Sequence, residues 1–326
     1  MSEMLLPYSV AMCTCNGERF VKEQLESILR QTVLPKEIVI SDDLSTDNTL
    51  DIVETTLKES NVSFRILRNK VRLGVGNNFL QCIHQCSSPI VFTCDQDDVW
   101  LPQKAEQMLE VFRENPQALL VFSDGQLCDE NGEPLHETIW HGLRISAKMA
   151  QAGDWFSYLL RGGYVTGAAM AIQKELSLGI STIPSPWLHD EWLSFSAAIK
   201  DGVLAYPEEL FLYRQHGRNV MGMKKLGFWG HVKRWRNSLS EIQETRGIKL
   251  RYYQDLESAF DNELTKQQRE SIVQCIRFLE ESQGLAKKKK FARLTVIARN
   301  VLNKAYGRFS SGFFSVLRDF ARSMLL

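Results

Sequence analysis

Short apolar runs alternate with amphipathic stretches through the first 120 residues, and this alternation constrains the fold more than any other feature. The runs are rich in β-branched and aromatic residues, and they predict strands at 8–13, 36–41, 62–67, 89–94 and 119–123. Apolar residues at helical spacing lie between them. Repeated strand–helix units form a mostly parallel sheet flanked by helices, so the predicted fold class is α/β.

Charge divides the chain into two regions. The whole sequence has 326 residues with 39 Lys/Arg and 39 Asp/Glu, but residues 224–326 hold 21 basic and 10 acidic side chains. The remaining 1–223 is therefore acidic. Since 224–326 is also free of proline and helical in pattern, we predict an α/β domain at 1–223 and a basic helical extension at 224–326.

The seven cysteines are scattered through strand and helix patterns without zinc-site spacing. They are expected to be reduced, buried side chains in a cytoplasmic protein. The N-terminus lacks a basic signal-peptide region, and no run approaches the ~18 apolar residues of a spanning helix. The expected location is the cytoplasm, with membrane contact only from the cytoplasmic side.

Three carboxylates follow the apolar run at 89–94, namely Asp95, Asp97 and Asp98. Carboxylates this close repel one another, so a cation is expected to balance them. Oxygen ligands at the carboxyl end of a strand suit Mg²⁺ or Mn²⁺, which keep positions open for substrate phosphates. A solvated acidic turn is the alternative interpretation. Asp42 and Asp43 end another predicted strand and are expected at the same edge of the sheet.

Other candidates are weaker when taken singly. Asp190, in HDEW at 189–192, lies among aromatic residues that would raise its pKa and suit a general base, although a helix N-terminus would also explain it. His216 is either a metal ligand or a surface residue. Asp42 and Asp43 either accept from a nucleobase or belong to a helix-capping turn.

Arginines near these residues offer contacts to phosphate. Arg72 precedes a glycine-containing loop, and Arg214 and Arg218 flank His216. A solvated surface charge is the alternative for Arg72, and the signal from Arg214 and Arg218 is weak when taken alone. The sequence contains no GxxxxGK[ST] motif, which excludes a P-loop mechanism.

The segment 287–309 has a basic amphipathic pattern. Its apolar residues recur at helical spacing, at positions 291, 294, 297, 301, 302, 305 and 309. Such a helix suits an anionic membrane surface, and the alternative is a helix packed against the protein or another subunit.

Seven segments together resemble a known family. In order, they are MCTCNGERFVKEQLESILRQT (12–32), EIVISDDLSTDNT (37–49), NKVRLGVGNNF (69–79), FTCDQDDVWLPQK (92–104), GYVTGAAMAI (163–172), HDEW (189–192) and YRQHGRN (213–219). They resemble the inverting glycosyltransferases of family 2, and most closely the bacterial rhamnosyltransferase-like members. The resemblance covers most of 8–222 and implies the GT-A fold, a Rossmann-like sheet flanked by helices.

The resemblance also implies a role for each matching residue. Thr14, Asp42 and Asp43 would hold the nucleobase, with Arg72 near the donor. Asp95 would contact the ribose.

In the DXD motif, Asp97 would ligate the divalent metal, Asp98 would support that arrangement, and His216 would complete the site. Asp190 would be the general base. The sequence departs from the pattern at Cys15, where relatives carry Tyr, and in HDEW, which replaces His-Asp-Trp-Trp.

The predicted function is metal-dependent, inverting transfer of a sugar from a UDP- or dTDP-linked donor. The acceptor would be a hydroxyl of a growing glycan, lipid-linked or free, of lipopolysaccharide, O-antigen or capsule type. No nucleic-acid partner is expected, while a homo-oligomer is compatible with the sequence. The alternatives are a nucleotidyltransferase that makes activated sugars and a non-catalytic glycan- or membrane-binding relative.

Overall fold

A computed structural model describes residues 6–216, 239–310 and 312–325. The chain divides into two compact units. The first comprises 6–154 and 164–216 of the described residues, and the second comprises 155–163, 239–310 and 312–325. Sequence analysis did not anticipate that 155–163 groups with the second unit.

The first unit contains one mixed sheet of nine strands. Its strands are β1 Tyr8–Thr14, β2 Glu37–Asp42, β3 Ser63–Arg68, β4 Ile90–Cys94, β5 Val99–Trp100, β6 Leu120–Cys128, β7 Pro134–Thr138, β8 Met170–Gln173 and β9 Val203–Arg214. The order is β3-β2-β1-β4-β8-β6-β9-β5, with β7 paired to β6. The first four strands are parallel, as predicted, while β8, β5 and β7 pair antiparallel to their neighbours.

Helices cover the parallel part of the sheet. In the first unit they are α1 Val21–Leu29, α2 Thr49–Lys58, α3 Gly74–Gln85, α4 Lys104–Glu114, α5 Ile139–Leu143, α6 Ala147–Ala152 and α8 His189–Ile199; the seventh helix belongs to the second unit. The apolar faces of α1, α2 and α4 pack with β1, β2 and β4 in one buried core. Burial of alternating helix and strand positions therefore produces the layers that the periodicity predicts.

Two predicted features differ from the structure. The short strands expected near 203–206 and 210–213 form the single strand β9, which pairs with β6 through two register shifts. The insert or loop expected at 135–152 contains most of β7 and the short helices α5 and α6. Local polarity misled the prediction because β9 is irregular and exposed in its middle. All seven cysteines are free, and five are buried.

The second unit is helical. Its helices are α7 Trp155–Leu160, α9 Leu239–Ala259, α10 Lys266–Gln283, α11 Lys290–Leu302, α12 Ala305–Phe309 and α13 Phe313–Leu325. Tyr306 and Phe309 of α12 pack on Phe278 of α10, with ring centroids 5.1 and 6.1 Å apart. Within the described ranges, no helix has the length and apolar character needed to cross a membrane.

Candidate active site

The site forms where β2, β1 and β4 end. These strands are adjacent and parallel, and the register pairs Thr14 with Asp42 and Met12 with Cys94. Their carboxyl ends therefore place the Asp42/Asp43 pair and the 95–98 segment on one edge, as the sequence predicts. Ligands of open α/β sheets bind at such edges.

Asp42 is buried and fixes the loop after β2. Its Oδ1 accepts hydrogen bonds from Thr14 Oγ1 at 2.8 Å and Ser45 Oγ at 2.6 Å, and its Oδ2 accepts from Ser45 N at 2.9 Å. These bonds form a tight turn but do not cap α2, whose N-cap residue Asn48 makes no side-chain capping hydrogen bond. A carboxylate has about four acceptor positions, so these three bonds do not exhaust it.

Asp43 plays the same part for the start of α3. Its carboxylate accepts from Leu73 N at 2.8 Å, Gly74 N at 3.0 Å and Asn69 Nδ2 at 3.1 Å. Just before this helix, Arg72 Nη2 contacts Cys15 Sγ at 3.3 Å. Thr14, Asp42, Asp43 and Arg72 therefore line one end of the site together.

Gln96, in the 95–98 segment, binds the loop after β1 at this end of the site. Cys15 N donates to Gln96 Oε1 at 2.9 Å, and Gln96 Nε2 donates to Cys15 O at 3.2 Å. A Cβ at Gly17 would lie 2.2 Å from Gln96 Oε1, so a larger residue there would displace the Gln96 side chain. Sequence reasoning missed Gln96 because a glutamine between aspartates has no distinctive pattern.

The three carboxylates of the 95–98 segment, Asp95, Asp97 and Asp98, differ in environment. Burial, with the charges of Asp97 and Asp190 adding to it, raises the pKa of Asp95 to about 8. Burial also raises the pKa of Asp98 well above its usual range. Asp98 Oδ1 accepts from Arg214 N at 3.0 Å, whereas its buried Oδ2 has no protein partner within the described residues.

Asp97 and His216 face each other. His216 Nε2 lies 2.7 Å from Asp97 Oδ2, and the histidine ring stacks on Phe20 with centroids 5.0 Å apart. The side chains are 16% and 9% exposed, so they are reachable from solvent yet held in place. The structure therefore brings together the two residues that sequence analysis assigned to a metal, although 119 positions separate them.

Arg214 holds this pair in position from behind. Its buried guanidinium donates to Asp97 O at 2.9 Å, Glu130 O at 3.0 Å and Glu23 Oε2 at 2.6 Å. The guanidinium is buried and three of its five N–H groups bind protein oxygens, which argues against the suggested contact of Arg214 with a phosphate. Arg218, the other arginine suggested, lies outside the described residues.

Lys104 is the main residue that sequence reasoning missed. This fully buried lysine begins α4, and its Nζ donates to Ala168 O at 2.7 Å between the rings of Trp100 and Phe211. Burial lowers its pKa to about 8, while the charges of Asp95 and Asp98 act in the opposite direction. Its position at the start of a helix, where the dipole disfavours a cation, is unusual but does not report burial.

Asp190 lies at the start of α8. Its Oδ2 accepts from Gly167 N at 3.1 Å and its Oδ1 from Glu191 N at 2.9 Å. Burial raises its pKa to about 6, and these backbone hydrogen bonds limit the rise. The helix-terminus and raised-pKa interpretations are thus both correct.

His189 packs behind Asp190. Its buried ring stacks on Phe79 with centroids 3.7 Å apart, and neither ring nitrogen has a hydrogen-bond partner among the described residues. Burial lowers its pKa to about 3, so the imidazole is neutral near pH 7. A Cβ on Gly167 would lie 2.7 Å from His189 Nε2, so glycine permits this packing.

The donor set at Asp97 and His216 fits a divalent ion that also binds a substrate. Within the described residues, no three His, Cys, Asp or Glu side chains form a metal-binding cluster. One carboxylate oxygen and one imidazole nitrogen are ligands that Mn²⁺ accepts, and Mg²⁺ and Mn²⁺ commonly take their other ligands from water and phosphate.

The family model for "Glycosyl transferase family 2" matches residues 9–176. The chain belongs to this family. It is thus a glycosyltransferase enzyme, and the matched region contains every site residue named above except those on α8 and after it. The resemblance stated from the seven sequence segments is confirmed.

Curated relatives are moderately similar. The dTDP-rhamnosyl transferase RfbG of Shigella flexneri is 29% identical over 225 residues, which cover 65% of this chain and 73% of that protein. An uncharacterized glycosyltransferase of Nostoc sp. is 26% identical over 218 residues, covering 65% of each chain. The match thus spans about two thirds of these relatives.

Solved structures show the same fold. Staphylococcus aureus TarS 1–349 in complex with UDP-GlcNAc gives a TM-score of 0.55 at 17% identity, covering 84% of this chain and 72% of that one. The mannosyltransferase PcManGT of Pyrobaculum calidifontis, in complex with GDP-Man and Mn²⁺, gives 0.53 at 16% identity, covering 76% and 65%. The GT-A fold is confirmed.

Proposed function

We propose that this protein transfers a sugar from a nucleotide-diphosphate donor to a glycan hydroxyl, with inversion and with a divalent metal. The observation that carries the proposal is that Asp97 and Asp190 both lie close enough to Asp95 for their charges to raise its pKa. His216 Nε2 lies 2.7 Å from Asp97 Oδ2, and burial keeps the pKa of Asp190 near 6. The catalytic domain is assigned to 1–223 without 155–163, which groups with the helical unit, and the helical extension is assigned to 224–326.

The donor would occupy the edge formed by β2, β1 and β4. The nucleobase is assigned to the end near Asp42, whose residues are Thr14, Asp42, Asp43 and Arg72. The ribose is assigned to Asp95. Asp98 is assigned the support of the 95–98 segment, through the hydrogen bond that it accepts from Arg214 N. TarS and PcManGT carry nucleotide sugars in their complexes, which supports this donor class.

Asp97 and His216 would hold Mn²⁺ or Mg²⁺. When bound, the ion would neutralise the diphosphate and stabilise the leaving nucleoside diphosphate as charge develops on it. The Mn²⁺ in the PcManGT complex supports this assignment. Arg214 keeps Asp97 in place through the Asp97 carbonyl, so binding requires no rearrangement of this part of the backbone.

Asp190 is assigned as the general base. Its backbone hydrogen bonds from Gly167 and Glu191 aim the carboxylate, and the raised pKa increases its proton affinity. It would take the proton of the acceptor hydroxyl while that oxygen attacks the anomeric carbon opposite the leaving group. A single displacement of this kind inverts configuration.

The pH dependence follows from the pKa of about 6 for Asp190. Only the ionised carboxylate accepts a proton, so kcat/KM should fall as pH decreases through about 6, by about tenfold per unit well below it. Initial rates from pH 4.5 to 8 with saturating Mn²⁺ measure this limb. A flat profile down to pH 5 would contradict the assigned base.

Lys104→Met should lower turnover about tenfold or more and move the acid limb to higher pH. Lys104 Nζ holds the Ala168 carbonyl, and the neighbouring Gly167 N–H binds Asp190, so losing the ammonium loosens the turn that stabilises the ionised base. Lys174→Met is the matched control, because Lys174 Nζ also donates to a backbone carbonyl, that of Cys86. An unmoved acid limb in a folded Lys104→Met protein would contradict this role.

Donor class is tested by binding. Thermal stabilisation by UDP-, dTDP- and GDP-linked sugars with Mn²⁺ should identify the donor, because a ligand that binds the native state raises the melting temperature. The RfbG relative makes dTDP-rhamnose the first candidate. If no nucleotide sugar stabilises the protein, or if it releases pyrophosphate from nucleoside triphosphates, the proposal fails.

The acceptor is proposed to be a growing cell-surface glycan of lipopolysaccharide, O-antigen or capsule type, attached to lipid at the cytoplasmic face of the membrane. Peripheral contact with an anionic membrane would bring the enzyme to such acceptors, and the excess of basic residues in 224–326 supports it. Salt-sensitive binding to anionic vesicles is the expected result, since raising ionic strength screens the attraction. Equal binding to neutral vesicles would contradict it.

A further inference from the structure

The last helix, α13, has its polarity reversed. Three large apolar side chains on one stripe point to solvent, with Phe313 70% exposed, Leu317 39% and Phe320 48%. They lie at spacings of four and three residues, which places them on the same side of the helix. The buried side chains that the structure describes on this helix are polar, namely Ser315, Asp319 and Ser323.

Ion pairing inside the second unit fixes this orientation. Asp319, 1% exposed, accepts both Arg246 Nη2 contacts, at 2.6 and 2.8 Å, and a hydrogen bond from Tyr306 Oη at 3.1 Å. Rotating α13 to bury Phe313 and Phe320 would leave a buried carboxylate or arginine without its partner, which is strongly destabilising. The apolar stripe is therefore held outward by the core of the unit itself.

The segment 287–309, predicted to form a helix that contacts a membrane, instead packs partly within the protein. The segment 287–309 is broken into α11 and α12, and Ile297, Ala305 and Phe309 of its apolar stripe are buried in the second unit. Packing within the protein, the alternative interpretation, is correct for these positions. Phe291 and Leu302 of the same stripe remain exposed, by 87% and 81%.

We propose that the outward stripe of α13, formed by Phe313, Leu317 and Phe320, is the surface that contacts an anionic lipid bilayer. This inference rests on the proposed membrane contact of the enzyme and assigns that contact to a specific helix face. A helix of 13 residues is about 20 Å long, too short to span a bilayer but suited to lying in its interface.

Charge favours lipid over a second copy of this chain. Residues 224–326 carry 21 basic and 10 acidic side chains, so two such regions repel each other, whereas an anionic lipid surface attracts them. Aromatic and aliphatic side chains that reach below the headgroups supply the non-electrostatic part of such binding.

The test uses the full-length protein and vesicles of phosphatidylcholine with 30% phosphatidylserine. A triple variant, Phe313→Gln, Leu317→Gln and Phe320→Gln, should lose binding by about tenfold or more in flotation. The matched control replaces three exposed apolar residues elsewhere, Leu34→Gln, Leu178→Gln and Val273→Gln, and should bind as the wild type does. Phe320→Gln alone provides a milder variant if the triple variant does not fold.

Each outcome decides the proposal. The proposal is overturned if the folded triple variant, or Phe320→Gln, binds vesicles as strongly as the wild type does. It is also overturned if the control variant loses as much binding as the triple variant. A wild type that is dimeric in sedimentation while the variant is monomeric also overturns it, because the stripe would then join two copies. Vesicle binding is measured without any sugar donor. The result therefore does not depend on whether the enzyme transfers sugar.

Discussion

Asp190→Asn should reduce kcat by about 100-fold or more while the affinity for the donor changes little, as expected when a general base is removed. The amide preserves the size of the side chain and still accepts one of the two backbone hydrogen bonds, from Gly167 or Glu191. It cannot take the proton of the acceptor hydroxyl. Steady-state rates with saturating donor and acceptor, together with donor titration, separate the two effects.

Glu191→Gln is the matched control for this variant. Glu191 is the next residue on α8, and its carboxylate accepts from Leu188 N at 3.1 Å, as in a capping box. The glutamine amide oxygen can still accept this hydrogen bond, so Glu191→Gln should change stability little and leave turnover within a few-fold of wild type. Near-wild-type turnover in Asp190→Asn would remove Asp190 from its assigned role.

Asp97→Ala should abolish the metal-dependent part of donor binding, with an increase in Kd of about 10- to 100-fold or more in the presence of Mn²⁺. The variant removes one of the two assigned metal ligands, while Arg214 still binds the carbonyl of residue 97 and keeps the loop in place. Calorimetric titration of the nucleoside diphosphate with Mn²⁺ and with EDTA measures this part directly.

Glu130→Gln serves as the control for Asp97→Ala. The Glu130 carboxylate is about half exposed and pairs with Arg19 at 2.8 Å. The substitution therefore removes a charge from the loop whose Glu130 carbonyl binds Arg214, and it leaves Asp97 unchanged. Metal should enhance donor binding in this control as in the wild type. The metal assignment would be refuted by tight, Mn²⁺-enhanced donor binding in Asp97→Ala.

Local sequence predicted the parallel half of the sheet because each strand there is a continuous apolar run followed by a helix. The ends of β2 and β4 then place Asp42 and Asp97 on one edge without further information, since parallel neighbours end together. The antiparallel half was predicted less well. Strand β9 is irregular, and its polar middle concealed one long strand as two short ones.

Chemistry at the site depended on contacts across long sequence distances. The sequence suggested His216 and Asp97 separately, and only the fold shows their nitrogen and oxygen atoms 2.7 Å apart. Lys104 reads as an ordinary surface lysine at a helix start, yet it is fully buried and bonded to the turn that holds Asp190. Burial of a charge is a property of the surroundings, so no local pattern reports it.

The sequence by itself determined the α/β class, because strand and helix periodicity is a local property of the chain. The family and the residue types of the site followed from seven segments that resemble family 2 glycosyltransferases. Tertiary structure alone decided which side of each amphipathic helix is covered. Helix α13 turns Phe313 and Phe320 outward because Arg246, distant in sequence, pairs with Asp319 on the opposite side. A hydrophobic pattern identifies an apolar face, but the partner that covers it is chosen by the whole packed unit.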